Sequence, residues 1–481
     1  MILGTSSHAG KSIITTGICR ILSDRGVPVA PFKSQNMSLN SYITEEGSEI
    51  GIAQAVQAIA ARARPVADMN PILLKPKGNS VSQIILHGKP WKDTKIQDYY
   101  TQTEYLLNEA LTAYNRLRNE YQNIIIEGAG GAAEVNLYDR DIANIQLAKR
   151  LRLPIILVAD IERGGVFAQI YGTISLLPDD VRPLVKGIII NKFRGDADLF
   201  ASGKKILEDL TGVPVIGIVP WKQLNLPDED SLSLQEKAPA NAPVKIAIIR
   251  YPHIANFTDF SLLERAAAVE YVPPGTPLTG YDAVILPGTK NTVYDLTVLK
   301  ETGTDARIHA CVNAGIPVIG ICGGYQMMGQ TIHDNAIEGD IIADYQGLGL
   351  LPVQTRFDQY DKITRQEQRT SAGIGPILSR MTTAAGYEIH SGRSTVQGPG
   401  AFTDEGSVSP DGLIFGTYLH GLFANAGPVD ALVGWLSEQK GIPYTPIGEL
   451  GDPYATLARH LETCLDTDAL LTLACGTEPK A

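Results

Sequence analysis

The sequence predicts an α/β protein made of two parallel-sheet domains in series, and three observations carry that prediction. Short, almost continuously apolar runs rich in Ile and Val alternate with stretches long enough for crossover helices. A polar segment with three prolines, "QLNLPDEDSLSLQEKAPANAPV" (223–244), breaks this rhythm once, and the rhythm then resumes. The chain has 481 residues, more than one hydrophobic core normally organises.

In the first half the strand candidates are "VPVAPFK" (27–33), "NIIIEGAG" (123–130), "PIILVAD" (154–160), "VKGIIINKF" (185–193) and "VPVIGIVP" (213–220). One hairpin is expected in "PILLKPKGNSVSQIILHGK" (71–89), turning at Gly78-Asn79. After the break come "VKIAIIRYP" (244–252), "YDAVILPG" (281–288), "IPVIGICGG" (316–324) and "DGLIFGTYLHG" (411–421). These divide the chain into a first domain (1–222), a linker (223–243), a second domain (244–437) and a helical tail (438–481) free to pack on either domain.

A net charge of −11 speaks against a general nucleic-acid binder, which carries a basic face. The five cysteines are scattered and no pair has metal-ligand spacing. No signal peptide opens the sequence, and no apolar run reaches the ~18 residues of a membrane span. A cytoplasmic protein with reduced thiols is expected.

"ILGTSSHAGKS" (2–12) reads as strand, loop and helix start, leading into the apolar-periodic "SIITTGICRILSD". The N–H groups of such a loop cradle phosphate oxygens. Lys11 is placed to reach the terminal phosphates of ATP and Ser12 to hold Mg²⁺. The strict pattern wants glycine five positions before Gly10, where Thr5 stands, with Gly4 one earlier. Variant loops of this kind occur in the P-loop subclass that includes dethiobiotin synthetase. Only three residues precede Gly4, which leaves two readings, a misplaced start codon or a stunted strand. Glu127 ends a strand and precedes glycines, the ligand side of an open sheet, and is expected to ligate Mg²⁺ directly or through water. Asn191 closes "IIIN", where an amide can read the edge of an adenine.

"PVIGICGGYQMMG" (317–329) is a strand, G-x-C-x-G and a helix, a nucleophile elbow with a thiol in place of a hydroxyl. A helix N-terminus beside Cys322 favours the thiolate and offers the Gly323 N–H as an oxyanion donor. A second donor is expected near Gly288 and Thr289. His420, in "FGTYLHGLF", stands just past a late strand and is the expected base.

The combination resembles the cobyrinate-amidating enzymes of cobalamin biosynthesis. These join a variant P-loop domain to a class I-type glutamine amidotransferase domain. Long strings resemble the cobyric acid synthase family in particular: "APFKSQNMSLNSYIT" (30–44), "EIGIAQAVQA" (49–58), "DMNPILLKP" (68–76), "EGAGGAAEVNLYDRDIAN" (127–144), "VADIERGGVFAQIYGT" (158–173) and "NKFRGD" (191–196). With the amidotransferase-like second half, the resemblance covers nearly the whole chain. The resemblance implies that Cys322 and His420 release ammonia from glutamine while ATP and Mg²⁺ activate corrin side-chain carboxylates. Four such carboxylates, b, d, e and g of adenosylcobyrinic acid a,c-diamide, would be amidated in turn.

Under this reading Arg140, Arg163 and Arg194 are candidates for the substrate carboxylates, with surface ion pairs as the alternative. Asp139 and Asp141 either help hold metal or order the substrate loop. Triad amidotransferases carry Glu two residues past the His, but Leu422 occupies that position. The third member is therefore unassigned, and Glu388 is open as its surrogate, as a substrate contact or as structure alone. The rival readings are an a,c-diamide synthase, an amide ligase for a cell-wall precursor, a ParA- or MinD-type nucleotide switch, and a plain glutaminase with a regulatory ATPase domain. Neither the order of amidation nor the oligomeric state is legible.

Overall fold

The computed structural model describes residues 1–78, 80–196, 200–224, 226–227, 240–339, 341–359 and 362–476. In the first half, Val29–Phe32 pairs in parallel with Asn123–Ile126. An isolated parallel bridge from Glu127 to Ile2 joins this pair to Ile2–Gly4. Ile155–Asp160, Val185–Phe193 and Val215–Pro220 then follow, all parallel. The first strand is only three residues long yet central. Apolar runs suit this sheet because both its faces are covered. Ile189 and Ile216 point into one buried cluster with Ile14 and Ile18 of helix Lys11–Asp24, whereas Ile188 and Ile190 point into the opposite one with Val166 and Ile170 of helix Val166–Leu176.

Part of the first half leaves this sheet. Ile72–Gly78, Val81–Leu86 and Lys89–Lys95 form an antiparallel meander with Gln35–Met37 along its edge. The hairpin expected at 71–89 thus forms, although Asn79 of its turn lies outside the described residues, as does most of the linker (225 and 228–239). Ser41–Ile43 and Glu49–Gly51 make a smaller hairpin.

The second half is a parallel sheet in the order Ala268–Val272, Lys245–Ile249, Ala283–Leu286, Val318–Ile321, Ile414–Thr417, closed by antiparallel Ser407–Val408. Between Val318–Ile321 and Ile414–Thr417 the chain inserts β-structure that apolar runs did not signal, including the long hairpin of Ile363–Thr370 and Thr383–His390. "ITRQEQRT" alternates polar residues and has little apolar content, so it does not read as a core strand.

The tail returns to the first domain. Helix Pro453–Glu462, capped by Asp452, lies on helix Lys11–Asp24, and Leu457 and Leu461 join the same buried cluster. Gly17 permits this approach, since a Cβ there would sit 2.1 Å from Leu461 Cδ1. Arg20 pairs with Asp452 at 2.7 Å, and Leu465 bridges to Gly217.

Candidate active site

In the first domain the loop after Ile2–Gly4 wraps the start of helix Lys11–Asp24. Gly10 adopts φ 97°, a left-handed conformation, and a Cβ there would lie 1.9 Å from Asn191 Nδ2, so only glycine fits. Lys11 is buried and donates to the carbonyls of Ser6 (3.0 Å) and Gly130 (2.7 Å), which holds its ammonium inside the loop. Ser12 Oγ donates to Glu127 Oε1 at 2.8 Å. The sequence-picked pair therefore meets, and two cations or donors that were not picked join it. Lys33 Nζ lies 2.9 Å from Glu127 Oε1, and Gln57 donates to the other oxygen. Lys33 follows strand Val29–Phe32, so the strand-end logic that picked out Glu127 would have found it. Gln57, in helix Ile52–Ala60, gave no signal.

Thr5 ties its amide to Val158 (3.0 Å) and its hydroxyl to Gln169 (3.3 Å). Asn191 donates Nδ2 to the Ala9 carbonyl at 2.9 Å. This sets its side chain against the phosphate loop. Asp141 accepts from the Ala143 and Asn144 amides and from Asn144 Nδ2, and Asn144 in turn holds both the Ala129 N–H and the Ala129 carbonyl. Asp141 thus orders the glycine loop after Glu127, and burial pushes its carboxyl upward. The arginines are exposed. Arg140 lies over the Tyr100 ring, and Arg194 pairs with Glu162 at 2.7 Å and lies over Trp221. Asp139 and Arg163 are exposed too.

A phosphate cradle with a captive lysine at a helix N-terminus fits a nucleotide. Ser12 and Glu127 supply the hard oxygen donors that Mg²⁺ takes in ones and twos beside substrate phosphates. Among the described residues no three His, Cys, Asp or Glu side chains group as a metal cage.

In the second domain Cys322 sits between Val318–Ile321 and helix Gly323–Met328 with φ 51° and ψ −109°, a strained turn for a residue with a side chain. Its amide donates to Thr417, which ties the elbow to the strand that leads to His420. The Gly323 amide opens the helix and has no intrahelical acceptor. The loop after Ala283–Leu286 packs directly on it, because a Cβ on Gly323 would lie 3.2 Å from Thr289 N. Gly288 O accepts from Ala255 N and Lys290 N donates to His253 O, each at 2.9 Å. In an extended segment this turns the intervening Thr289 N–H to the opposite side, the side of Gly323. Gly288 also abuts the base, since a Cβ there would come 2.7 Å from His420 Cε1.

His420 is buried, and its Nδ1 lies 2.6 Å from Asp259 Oδ2, a buried carboxylate. Asp259 is the residue that sequence reasoning missed. It is 161 positions from His420, in a short 3₁₀ turn (Phe257–Phe260), and no spacing rule links "NFTDF" to a histidine in another strand's loop. Glu388, the surrogate left open, is instead held by Arg365 (2.8 Å) and Arg369 (2.6 Å). In strand Thr383–His390 side chains alternate, so Glu388 and its neighbour Tyr387 face opposite ways. Tyr387 stacks on the His420 ring, its hydroxyl donates to Asp259 Oδ1 at 3.4 Å, and its backbone exchanges hydrogen bonds with His420. Burial pulls the His420 imidazolium down, but Asp259 and Cys322 outweigh it and raise the ring to about 10.

The two sites are joined by the 36–51 segment. Asn40 Oδ1 accepts from Phe257 N (3.0 Å), and Asn256 Oδ1 accepts from Ser41 N (2.9 Å). Glu49, fully buried, pairs with Lys75 at 2.6 Å and with Lys362 of the second domain. Lys290 donates to Gln83 at 2.8 Å.

Residues 1–232 match a family described as the CobQ/CobB/MinD/ParA nucleotide binding domain, and residues 245–428 match the CobB/CobQ-like glutamine amidotransferase domain. Over whole lengths the chain is 60% identical to a probable cobyric acid synthase of Methanosphaerula palustris (100% of this chain, 99% of that one). It is 58% identical to one of Methanoculleus marisnigri (98% of each) and 51% to one of Methanosarcina mazei (98% of each). No described helix is long and apolar enough to cross a membrane.

Proposed function

The chain belongs to the cobyric acid synthase family and performs glutamine-dependent amidation of cobyrinate side chains, and from that premise we propose how its residues divide the work. Cys322 is the glutaminase nucleophile. Asp259 accepts a hydrogen bond from His420 Nδ1–H, which presents Nε2 to take the proton of Cys322 Sγ. The thiolate attacks the glutamine carboxamide, and the resulting oxyanion lies between the N–H groups of Gly323 and Thr289. The amide C–N bond breaks, ammonia leaves with a proton from His420, and water hydrolyses the thioester.

In the first domain ATP, when bound, supplies the phosphoryl group that makes a corrin carboxylate a good electrophile, with Mg²⁺ neutralising charge. Lys11 and the N–H groups around Gly10 position the phosphates, and Asn191 and Thr5 brace that loop. Ser12 and Glu127 hold the cation, with Lys33 sharing the Glu127 carboxylate. Arg140, Arg163, Arg194 and the loop ordered by Asp141 are the corrinoid contacts we propose, and the b, d, e and g carboxylates are the acceptors. Ammonia must travel between the sites as neutral NH₃, since ammonium has no lone pair with which to attack.

The observation that carries this reading is the His420–Asp259 pair set against the Cys322 elbow and the Gly288–Thr289 loop. Cys322→Ser should abolish amidation from glutamine while amidation from concentrated ammonium salts persists. If ammonium cannot rescue that variant, the division of labour between the domains is wrong.

A further inference from the structure

Lys290 and Glu338 have no part in the chemistry just described, yet both stand beside it. The loop after strand Ala283–Leu286 gives one residue after another to the site. Gly288 abuts the His420 ring, Thr289 N packs against Gly323, and Lys290 comes next. Glu338 reaches the same place from the turn after strand Thr331–Asn335, which Asp334 ties down through the amides of Ile337, Glu338 and Gly339. Its Oε2 accepts from Thr292 N at 2.7 Å, and the Thr292 hydroxyl lies against Gly323 and donates to Gln326.

Neither charge is matched. Lys290 Nζ donates to Gln83 Oε1 at 2.8 Å, a neutral acceptor, and among the described residues no carboxylate comes within ion-pairing distance of it. Glu338 likewise has no cation in contact among the described residues. The two act on each other across a gap. Burial and the nearby Lys362 and Lys75 pull the Lys290 ammonium down, while burial raises the Glu338 carboxyl. Lys75 and Lys362 differ, since Glu49 gives one oxygen to each. A third group also lacks a partner. Gln83 is buried, and with Oε1 turned to Lys290 its Nε2 has no acceptor among the described residues. An unmatched cation, an unused amide donor and an unmatched carboxylate are what the two ends of a zwitterion need. The carboxamide end of the substrate is set by the N–H groups of Gly323 and Thr289. His420, Tyr387 and Asp259 fill the Gly288 side of that position, so the rest of the molecule leaves past Thr289, toward Lys290 and Glu338.

We propose that Lys290 and Gln83 take the α-carboxylate of glutamine and Glu338 its α-ammonium, which makes these three the residues that select an unblocked amino acid over other primary amides. No bond is made or broken at them; they hold the head of the substrate so that its carboxamide carbon stays on the sulfur. The inference rests on the glutaminase reading of Cys322 and adds how that site recognises its substrate.

Two truncated amides test it in the full-length chain with ATP and corrinoid present, ammonia release being measured. Glutaramic acid lacks the α-ammonium and 4-aminobutanamide lacks the α-carboxylate. In the wild type each should fall about a hundredfold or more below glutamine in kcat/KM, because the site's polar groups are then left unpaired. Lys290→Met should raise KM for glutamine about tenfold and shrink the penalty on 4-aminobutanamide by about the same factor, leaving the penalty on glutaramic acid in place. Glu338→Gln should do the reverse, and Gln83→Leu should follow Lys290→Met with a smaller step. A merely structural role would slow all three amides together. Penalties near unity in the wild type overturn the inference without recourse to any variant, and so do penalties that neither Lys290→Met nor Glu338→Gln changes selectively. Cys322→Ser separates the two levels. If that variant still hydrolyses glutamine, the underlying reading fails; if it is inert while the other variants keep the wild-type preferences, only the head-group inference fails.

Discussion

Replacing Asp259 by Asn removes the charge that stabilises the His420 imidazolium while nearly preserving shape. The carboxylate and ring are 2.6 Å apart and both buried, so solvent screens them little. Taking charge centres about 4 Å apart and an effective dielectric of about 20, the lost attraction is about 4 kcal/mol. At about 1.4 kcal/mol per decade this predicts a fall of roughly a thousandfold in kcat for glutamine use. An Asn that turns its NH₂ toward Nδ1 would also favour the wrong tautomer, so the loss should not be smaller. The assay is corrin amide formation from glutamine and, separately, from ammonium chloride, at saturating ATP and corrinoid. The first should collapse and the second should hold. The pair also makes a stability prediction. His420 titrates near 10 in the fold against an ordinary value near 6.5, so its contribution is fully present below about 6.5 and is lost as pH rises through about 10. Urea melts across that range should show a decline in the wild type that Asp259→Asn flattens. Glutamine-dependent amidation within fivefold of wild type would refute the assignment of Asp259.

Lys11→Ala should stop amidation from either nitrogen source while Cys322 chemistry continues, which parallel assays of amide and glutamate formation will show. Gly10→Ala forces a Cβ onto Asn191 at a left-handed φ; a loss of about 1–3 kcal/mol and weakened nucleotide binding are expected in thermal melts with and without ATP. Glu49→Gln leaves Lys75 and Lys362 buried around a neutral group and should cost about 3–5 kcal/mol in urea unfolding. Although burial raises the Glu49 carboxyl, the two lysines hold it well below the usual range. Its contribution is therefore present above about 4.5 and lost as pH falls through the lower folded value, a dependence the variant should lack.

The parts of the molecule legible in sequence are those whose physics is local. The phosphate loop and the cysteine elbow are strand–turn–helix units, and the strands around them are apolar because helices cover both faces. Glu127 and His420 were readable because the C-terminal end of a parallel strand faces the ligand. Asp259 was not, because the acid came from a loop across the sheet and the familiar position two past the histidine holds Leu422. Glu388 was left open as its surrogate, but the alternation of its strand directs it to Arg365 and Arg369. The docking of the 36–51 segment was equally hidden. Its contacts run through backbone amides and short polar side chains, which leave no periodic trace.

Because the final helices fold back onto Lys11–Asp24, the polypeptide crosses between its two lobes twice, once on the way out and once on the way home. The return crossing is sealed by packing, with Leu457 and Leu461 in the first lobe's core and Arg20 paired to Asp452. A chain expressed as two pieces, split between the domains, should therefore copurify, because the second piece carries its own anchor into the first lobe's core.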